Sequence, residues 1–516
     1  MELTVQTLVI VLYLVTLGVL ALYGCHRSAL LFLYLRHRGE QTLPKARFED
    51  DHLPFVTIQL PMYNELFVAE RLIDAVARIE YPRERLQIQV LDDSTDETSI
   101  IAVAKCKALR KQGIDVEYLH RTDRHGYKAG ALAAGLERAK GELVLVFDAD
   151  FVPGTEILGQ LVHFFTDPRV GMVQARWAHL NPDRSLLTRC QAMLLDGHFV
   201  IEHAARNRSG RFFNFNGTAG IWRKTAIREA GGWQHDTVTE DMDLSYRAQL
   251  VGWKFVYAPE VSVPAELPGE MNSFKGQQYR WAKGSVQTAR KLLGTILRAP
   301  VGAKVKSEAF FHLSNNLAYV FLLVLAALQL PNMLIRRKME HPELLMLDVP
   351  LFLATCGSVA AFYVVAHHEL YGGRWQAIKR LPAMMALGIG LSINNGRAAI
   401  EGLFGRDVEF IRTPKRGTID GGPSAGTSRY RGRWPWHNTI ELLFGLYCLA
   451  TLAIAISTRS WASVPFLLLF CAGFTYVGVL SLFEAFQRKP GHGDDSTRAE
   501  QEPSTHSSPR PQSMLS

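Results

Sequence analysis

The chain has 516 residues, is 48% hydrophobic and carries a formal net charge of +8. That length allows one large domain plus a membrane part, and a charge so mild and dispersed excludes a nucleic-acid-binding protein. The six cysteines (Cys25, Cys106, Cys190, Cys356, Cys448 and Cys471) are scattered without ligand-like spacing, which excludes a zinc centre and a disulfide framework.

Residues 4–24 form an uninterrupted apolar run long enough to span a bilayer. A signal peptide would have a positive start and a small-residue cleavage site; here Glu2 precedes the run, and Arg27, Arg36, Arg38, Lys45 and Arg47 follow it. Residues 1–30 therefore read as an anchor, with the amino terminus outside and the next domain cytoplasmic.

From 54 to about 260 strands and helices alternate, as in a mostly parallel sheet covered on both faces. Val56–Leu60 reads as a strand ended by Pro61, Met62, Tyr63, Asn64 and Glu65. Leu86–Leu91 stops at Asp92-Asp93-Ser94-Thr95-Asp96, and a third strand lies near 116–119. Tyr127-Lys128-Ala129-Gly130 opens an alanine-rich helix. It leads to Leu143-Val144-Leu145-Val146-Phe147-Asp148-Ala149-Asp150. In an open parallel sheet ligands bind outside the carboxyl ends of strands, where these acids fall. Asp148 and Asp150 repel each other unless a cation intervenes, and a hard divalent ion carrying a nucleotide diphosphate is the usual partner. There is no G-x-G-x-x-G or Walker loop, so any phosphate falls to metal-bearing carboxylates and Lys128.

Phe213-Asn214-Phe215-Asn216-Gly217-Thr218-Ala219-Gly220 reads as a tight turn that lets backbone approach a ligand. In Thr239-Glu240-Asp241-Met242-Asp243, Thr239 caps a helix and the acids suit its dipole, which alone would explain them. The functional alternative is a carboxylate kept ionised at the helix start as a general base toward a sugar hydroxyl. A helix over 271–296 projects Gln277, Arg280 and Trp281 from one face, a set suited to a diphosphate and a sugar ring, or to membrane headgroups.

Apolar runs near 313–335, 349–367, 436–457 and 464–486 are each long enough to span. Ser392, Asn394, Asn395, Arg397 and Glu401 interrupt the run near 381–404, which reads as one amphipathic interfacial helix over 385–404. With about five spans, Arg336-Arg337-Lys338 falls outside, against the charge rule. Residues 487–516 have the composition of a disordered tail.

The ordered set Asp92-Asp93, Asp148-Ala149-Asp150, Thr239-Glu240-Asp241 and Gln277-Gln278-Tyr279-Arg280-Trp281 resembles the D, DxD, [TE]D and QxxRW motifs of processive family-2 membrane glycosyltransferases. The stretches 89–96, 126–132, 173–177 and 215–220 look most like the cellulose-synthase-like A group, the glucomannan 4-β-mannosyltransferases. The resemblance implies a GT-A domain over 50–300 and a helical membrane channel over 310–486. It implies inverting transfer from GDP-mannose or UDP-glucose to a growing polysaccharide, with Mg²⁺ or Mn²⁺. Pro61, Tyr63, Glu65 and Asp93 would contact the nucleotide, Lys128, Asp148 and Asp150 the diphosphate, and Asp148 and Asp150 also the metal. Asp241, with Glu240, would be the base. Gly217, Gln277, Arg280 and Trp281 would hold diphosphate and acceptor. Phe410, Arg412, Thr413 and Lys415 match the family's gating-loop pattern, within 408–418.

A β-glucan synthase using UDP-glucose, a non-processive lipid glycosyltransferase and a transporter are the alternatives. The transporter is disfavoured because the acids gather outside the spans. The resemblance and the spans together imply a multi-pass protein of the plasma or inner membrane, or of the Golgi for a plant-type homologue, in contact with membrane lipids. Donor identity, polymer length and oligomeric state are not legible.

Overall fold

The structure is a computed structural model and describes residues 2–339, 343–405, 417 and 437–487. A seven-stranded sheet in the order β3-β2-β1-β4-β6-β5-β7 forms its centre. The strands are β1 (Val56–Met62), β2 (Leu86–Asp92), β3 (Val116–His120), β4 (Leu143–Val146), β5 (Val170–His179), β6 (Gly220–Arg223) and β7 (Lys254–Ala265). β1 runs parallel to both β2 and β4, and β2 to β3, while short β6 runs antiparallel between β4 and β5. The sheet is thus mostly parallel, as the alternating pattern implies. Beyond β4 the strands are hard to read from sequence, because β6 has only four residues and β7 is interrupted by Pro259, Glu260, Ser262 and Pro264.

Side chains of a strand alternate between faces, and β4 shows it: Leu143 and Leu145 enter one core, Val144 and Val146 the other. The second core also takes in Leu30 and Tyr34 of the amino-terminal helix (Glu2–Arg36), and Phe362, Leu387 and Val477 from the carboxyl-terminal helices. One face of the sheet is therefore continuous with the packing of the apolar helices. Thr57 and Gln59 are buried within β1 because each finds a cross-strand partner: Thr57 Oγ1 donates to Gln87 Oε1 (2.9 Å) and Gln59 Nε2 to Gln89 Oε1 (3.0 Å).

Among the described residues five helices are long and apolar enough to cross a membrane: Thr4–Arg36, Ala303–Lys338, Asp348–Tyr371, Thr439–Ser457 and Trp461–Phe486. Arg336 pairs with Asp348 (Nη2 to Oδ1, 3.2 Å) and lies 5.1 Å from the Tyr13 ring centroid. Two partners thus offset one of the three charges, that of Arg336. The sequence suggests one amphipathic helix over 385–404; the chain forms two, Arg374–Gly390 and Ser392–Leu403. Ser392, Asn394, Asn395 and Glu401 are buried, because the second helix turns its polar groups onto the helix Met271–Arg298. Asn394 Nδ2 donates to the Lys275 carbonyl (2.9 Å), and Glu401 accepts from Tyr279 Oη. Residues 488–516 and the loop positions Phe410, Arg412, Thr413 and Lys415 lie outside the described residues.

The Met271–Arg298 helix is tied further to the last two apolar helices. Glu484 accepts from the backbone N–H groups of Met271 (2.6 Å) and Asn272 (3.0 Å), and Lys275 Nζ lies 2.6 Å from Glu441 Oε1, both residues buried. A carboxylate at a helix start meets donors that have no partner within the helix, and the dipole favours its charge.

Small residues let Arg374–Gly390 and the helix Val464–Gln487 approach closely: a Cβ on Gly390 would lie 2.3 Å from the Gly473 carbonyl oxygen, and one on Gly473 2.3 Å from that of Ala386. Gly473→Leu should force these helices apart at a cost of about 1–3 kcal/mol. The check is the midpoint of thermal unfolding in detergent, which should fall, while Gly18→Leu, where nothing lies within 4 Å, should leave it unchanged.

Candidate active site

Because β2, β1 and β4 are adjacent and parallel, their carboxyl ends share one edge of the sheet, and strand order reverses direction across β1. Crevices form at such a point. A cleft opens there, lined by Pro61, Tyr63 and Glu65 after β1, Asp93 after β2, and Asp148 and Asp150 after β4. Lys128, Gly217, Glu240 and Asp241 form its floor and wall, and Gln277, Arg280 and Trp281 close it from the Met271–Arg298 helix. Every candidate residue of the sequence that falls within the described residues lines this one cleft. Gly417, next to the loop positions not described, packs its backbone near Phe67, two residues from Glu65: a Cβ there would lie 2.7 Å from the Phe67 carbonyl oxygen.

The two aspartates of Asp92-Asp93 part company. Asp92 accepts from Tyr118 Oη (2.7 Å) and the Ser94 N–H (2.9 Å), which closes the strand end. Asp93 meets Arg121 through two nitrogens, Nε at 2.8 Å and Nη2 at 2.5 Å, a fork that fixes the carboxylate plane. Asp243, two residues past Asp241, is likewise structural: Arg247 (2.7 Å) and Lys291 (2.9 Å) pair with it.

Lys128 is the central cation. Its Nζ lies 2.5 Å from Asp148 Oδ1 and 2.9 Å from the Gly217 carbonyl oxygen. Burial alone would lower its pKa, but Asp148, Glu240 and Asp241 outweigh burial and raise it. Gly217 has φ +79°, and a Cβ there would stand 2.9 Å from Asp241 Oδ2 and 3.3 Å from Lys128 Nζ, so this position needs glycine on both counts.

Asp241 lies in the first turn of the helix Glu240–Leu250, with Thr239 before it. Thr239 makes no side-chain capping bond; its side chain packs instead against Gly284 of the Met271–Arg298 helix. The helix start does not keep Asp241 ordinarily acidic. Burial first, then the charge of Glu240, push its carboxyl up to about 8, against the pull of Lys128. Burial also raises Glu240. Arg280 is lowered to about 10 by burial, opposed by Asp148, Glu240 and Asp150, so it is a desolvated cation facing acids. The Trp281 ring stands 6.4 Å from that of Trp177, and Trp177 packs edge-on to Phe151 at 5.2 Å.

The cleft also contains residues with no sequence-level role: Arg124, Tyr127, Trp177, His179, Asn216 and Glu266. Arg124 stacks 3.3 Å from the Tyr63 ring centroid and orders the cleft wall beyond β1. Trp177 sits in the Val173–Trp177 stretch that carries the family resemblance. Glu266, just past β7, has no local signature; only the strand crossing brings it in.

The family model for "Glycosyltransferase like family 2" matches residues 54–284. Glucomannan 4-beta-mannosyltransferase 7 of Arabidopsis thaliana is 36% identical over 412 residues, 77% of this chain and 71% of that protein. Glucomannan 4-beta-mannosyltransferase 2 of the same plant is 35% identical over 433 residues, 80% and 78% of the two chains. The chain belongs to the glucomannan 4-β-mannosyltransferase family. It is a family-2 membrane glycosyltransferase with a GT-A fold. The fold also matches, at TM-score 0.50 and 20% identity, the mannosyltransferase PcManGT from Pyrobaculum calidifontis, solved in complex with GDP-Man and Mn2+. That match covers 71% of this chain and 99% of PcManGT.

Within this glycosyltransferase, Gly217→Ala should strain the backbone by about 1–2 kcal/mol and press a methyl group onto Asp241. Sugar transfer should fall at least about tenfold while the protein still purifies as a folded species. Rate per folded molecule is the measurement.

Proposed function

We propose that this chain is a processive, inverting glycosyltransferase that builds a β-1,4-linked mannan or glucomannan from GDP-mannose and passes it across the membrane. One observation carries the reading: acids from three strand ends and a helix start share one cleft with Lys128, Arg280 and Trp281. Acids alone would repel a diphosphate, and cations alone would not deprotonate a hydroxyl. Transfer of a sugar from its diphosphate needs both.

In this mechanism Pro61, Tyr63, Glu65 and Asp93 hold the nucleotide. Asp148 and Asp150 offer the hard oxygen donors that suit Mg²⁺ or Mn²⁺, an ion that would neutralise the leaving diphosphate. Lys128 and Arg280 face the same phosphates, with Gln277 beside them. Asp241 takes the proton of the acceptor's 4-hydroxyl as that oxygen attacks the anomeric carbon and the bond to the diphosphate breaks. Glu240 tunes Asp241 through its charge, and Trp281 stacks on the terminal sugar. The loop holding Thr413 and Lys415 gates the donor side. In this reading the catalytic domain faces the cytoplasm, and the apolar helices form the path for the polymer.

Purified protein with Mn²⁺ should convert GDP-mannose into insoluble product that β-mannanase digests. Product from UDP-glucose alone would move it to the glucan branch, and a short lipid-linked sugar would remove processivity. Asp241→Asn should lower polymer formation at least about 100-fold. A carboxyl raised to about 8 is mostly protonated at neutral pH. kcat/KM, which reports the free enzyme, should therefore climb with pH, about tenfold per unit well below pH 8, and level off above it. Arg280→Ala, removing a charged phosphate partner worth about 1.5–3 kcal/mol, should cost roughly 10- to 100-fold in kcat/KM.

A further inference from the structure

One cleft residue, Asn216, has its side chain held at both ends. His203 Nε2 lies 2.6 Å from Asn216 Oδ1 and 3.1 Å from the Asn214 carbonyl oxygen. A carbonyl only accepts, so this nitrogen carries a hydrogen and donates. Asn216 Oδ1 therefore accepts, and Asn216 Nδ2 faces His198 Nε2 at 3.0 Å. His198 Nδ1 lies 2.9 Å from Glu202 Oε2. A carboxylate accepts, so Nδ1 bears the ring hydrogen and Nε2 receives the amide of Asn216. A flipped Asn216 would set donor against donor at His203. The two rings thus adopt opposite tautomers around one amide, and its orientation is fixed.

The surroundings maintain these states. Burial, with the Arg206 charge nearby, lowers His203 well below the ordinary histidine range and keeps it neutral. Burial would raise Glu202, but Arg206 and His198 outweigh it and hold the carboxyl well below its ordinary value. Arg206 Nε bonds to Glu308 Oε1 (2.8 Å), and Glu308 Oε2 meets His26 Nε2 on the amino-terminal helix at 3.1 Å. Local backbone supplies the geometry. Residues Gly197–His203 form a π-helix, in which residues five apart fall about one turn apart, so His198 and His203 can flank the same amide. Their ring centroids are 4.4 Å apart.

Nδ2 of Asn216 carries two hydrogens, and His198 takes one. Asn216 lines the cleft with Trp177 and Trp281, and its neighbour Gly217 lies against Asp241. We propose that Asn216 binds the acceptor chain end, donating its second amide hydrogen to a hydroxyl oxygen of the terminal hexopyranose, and that His198 and His203 are positioning residues that keep that donor facing the sugar. This deepens the glycosyl-transfer reading and rests on it. The contact holds a sugar at the base in preference to water, so it acts on the partition between transfer to the chain and hydrolysis of the donor.

The test uses full-length protein in detergent, with Mn²⁺ and radiolabelled GDP-mannose, and counts both nucleotide released and mannose polymerised. Asn216→Ala should lower polymerised mannose at least tenfold and raise nucleotide released per polymerised mannose at least fivefold. His198→Ala should move that ratio the same way. His198→Gln, whose amide oxygen can still accept from Asn216, should recover at least half of the change. GDP binding reports that each variant is folded, and Asn216→Asp replaces any alanine variant that does not bind GDP. A folded Asn216 variant with an unchanged ratio overturns the proposal, even if its rate falls, because a purely structural defect lowers both products together. A wild-type protein that releases no nucleotide from any sugar donor would instead sink the glycosyl-transfer reading itself.

Discussion

Four carboxylates in one water-poor cleft repel one another, and the rest of the site is arranged around that repulsion. Asp148, Asp150, Glu240 and Asp241 share the space with Lys128 and Arg280. Lys128 bridges Asp148 and the Gly217 backbone, so the single ammonium joins the β4 end to the turn that faces Asp241. Without it, burial would drive several of these acids neutral. With it, the acids divide: Asp148 bonds to the ammonium, and Asp241 is held near the point where it can exchange a proton at physiological pH. The same crowding explains why the position against Asp241 and Lys128 is a glycine, Gly217.

The Met271–Arg298 helix has two tasks on two faces. Gln277, Arg280 and Trp281 enter the cleft, while Lys275 and Tyr279 bond to Glu441 and Glu401. Gly284 receives Thr239, so the helix also sets the turn that precedes Asp241. The positions of Arg280 and Trp281 on one side of the cleft and of Asp241 on the other thus both depend on how one helix is seated.

The parallel half of the fold was legible because β1, β2 and β4 carry buried apolar runs with acids at their ends, and strand ends are where parallel sheets place ligands. Asp93, Asp148, Asp241 and Arg280 were legible because their motifs are short and ordered. Other features depend on tertiary contacts. Asp241's raised pKa arises from burial and from Glu240, where local sequence shows only a helix start. The helices Arg374–Gly390 and Ser392–Leu403 stand where the sequence reads as one amphipathic interfacial helix over 385–404, since nothing local reveals that the polar side meets protein. Asn216 lay inside a stretch singled out for its glycine, but its two histidine partners lie 18 and 13 residues away, on a π-helix that sequence periodicity does not reveal.

The start of the Met271–Arg298 helix is closed by Glu484, 213 residues later in the chain. A ribosome therefore releases the catalytic sheet long before it makes the carboxylate that finishes this helix, and Glu441, the partner of Lys275, also comes late. During synthesis the donor half of the cleft can fold early, but Arg280 and Trp281 gain their final seat only after the last apolar helix has packed. Chain order thus places the partners that seat this helix after the sheet whose cleft it closes.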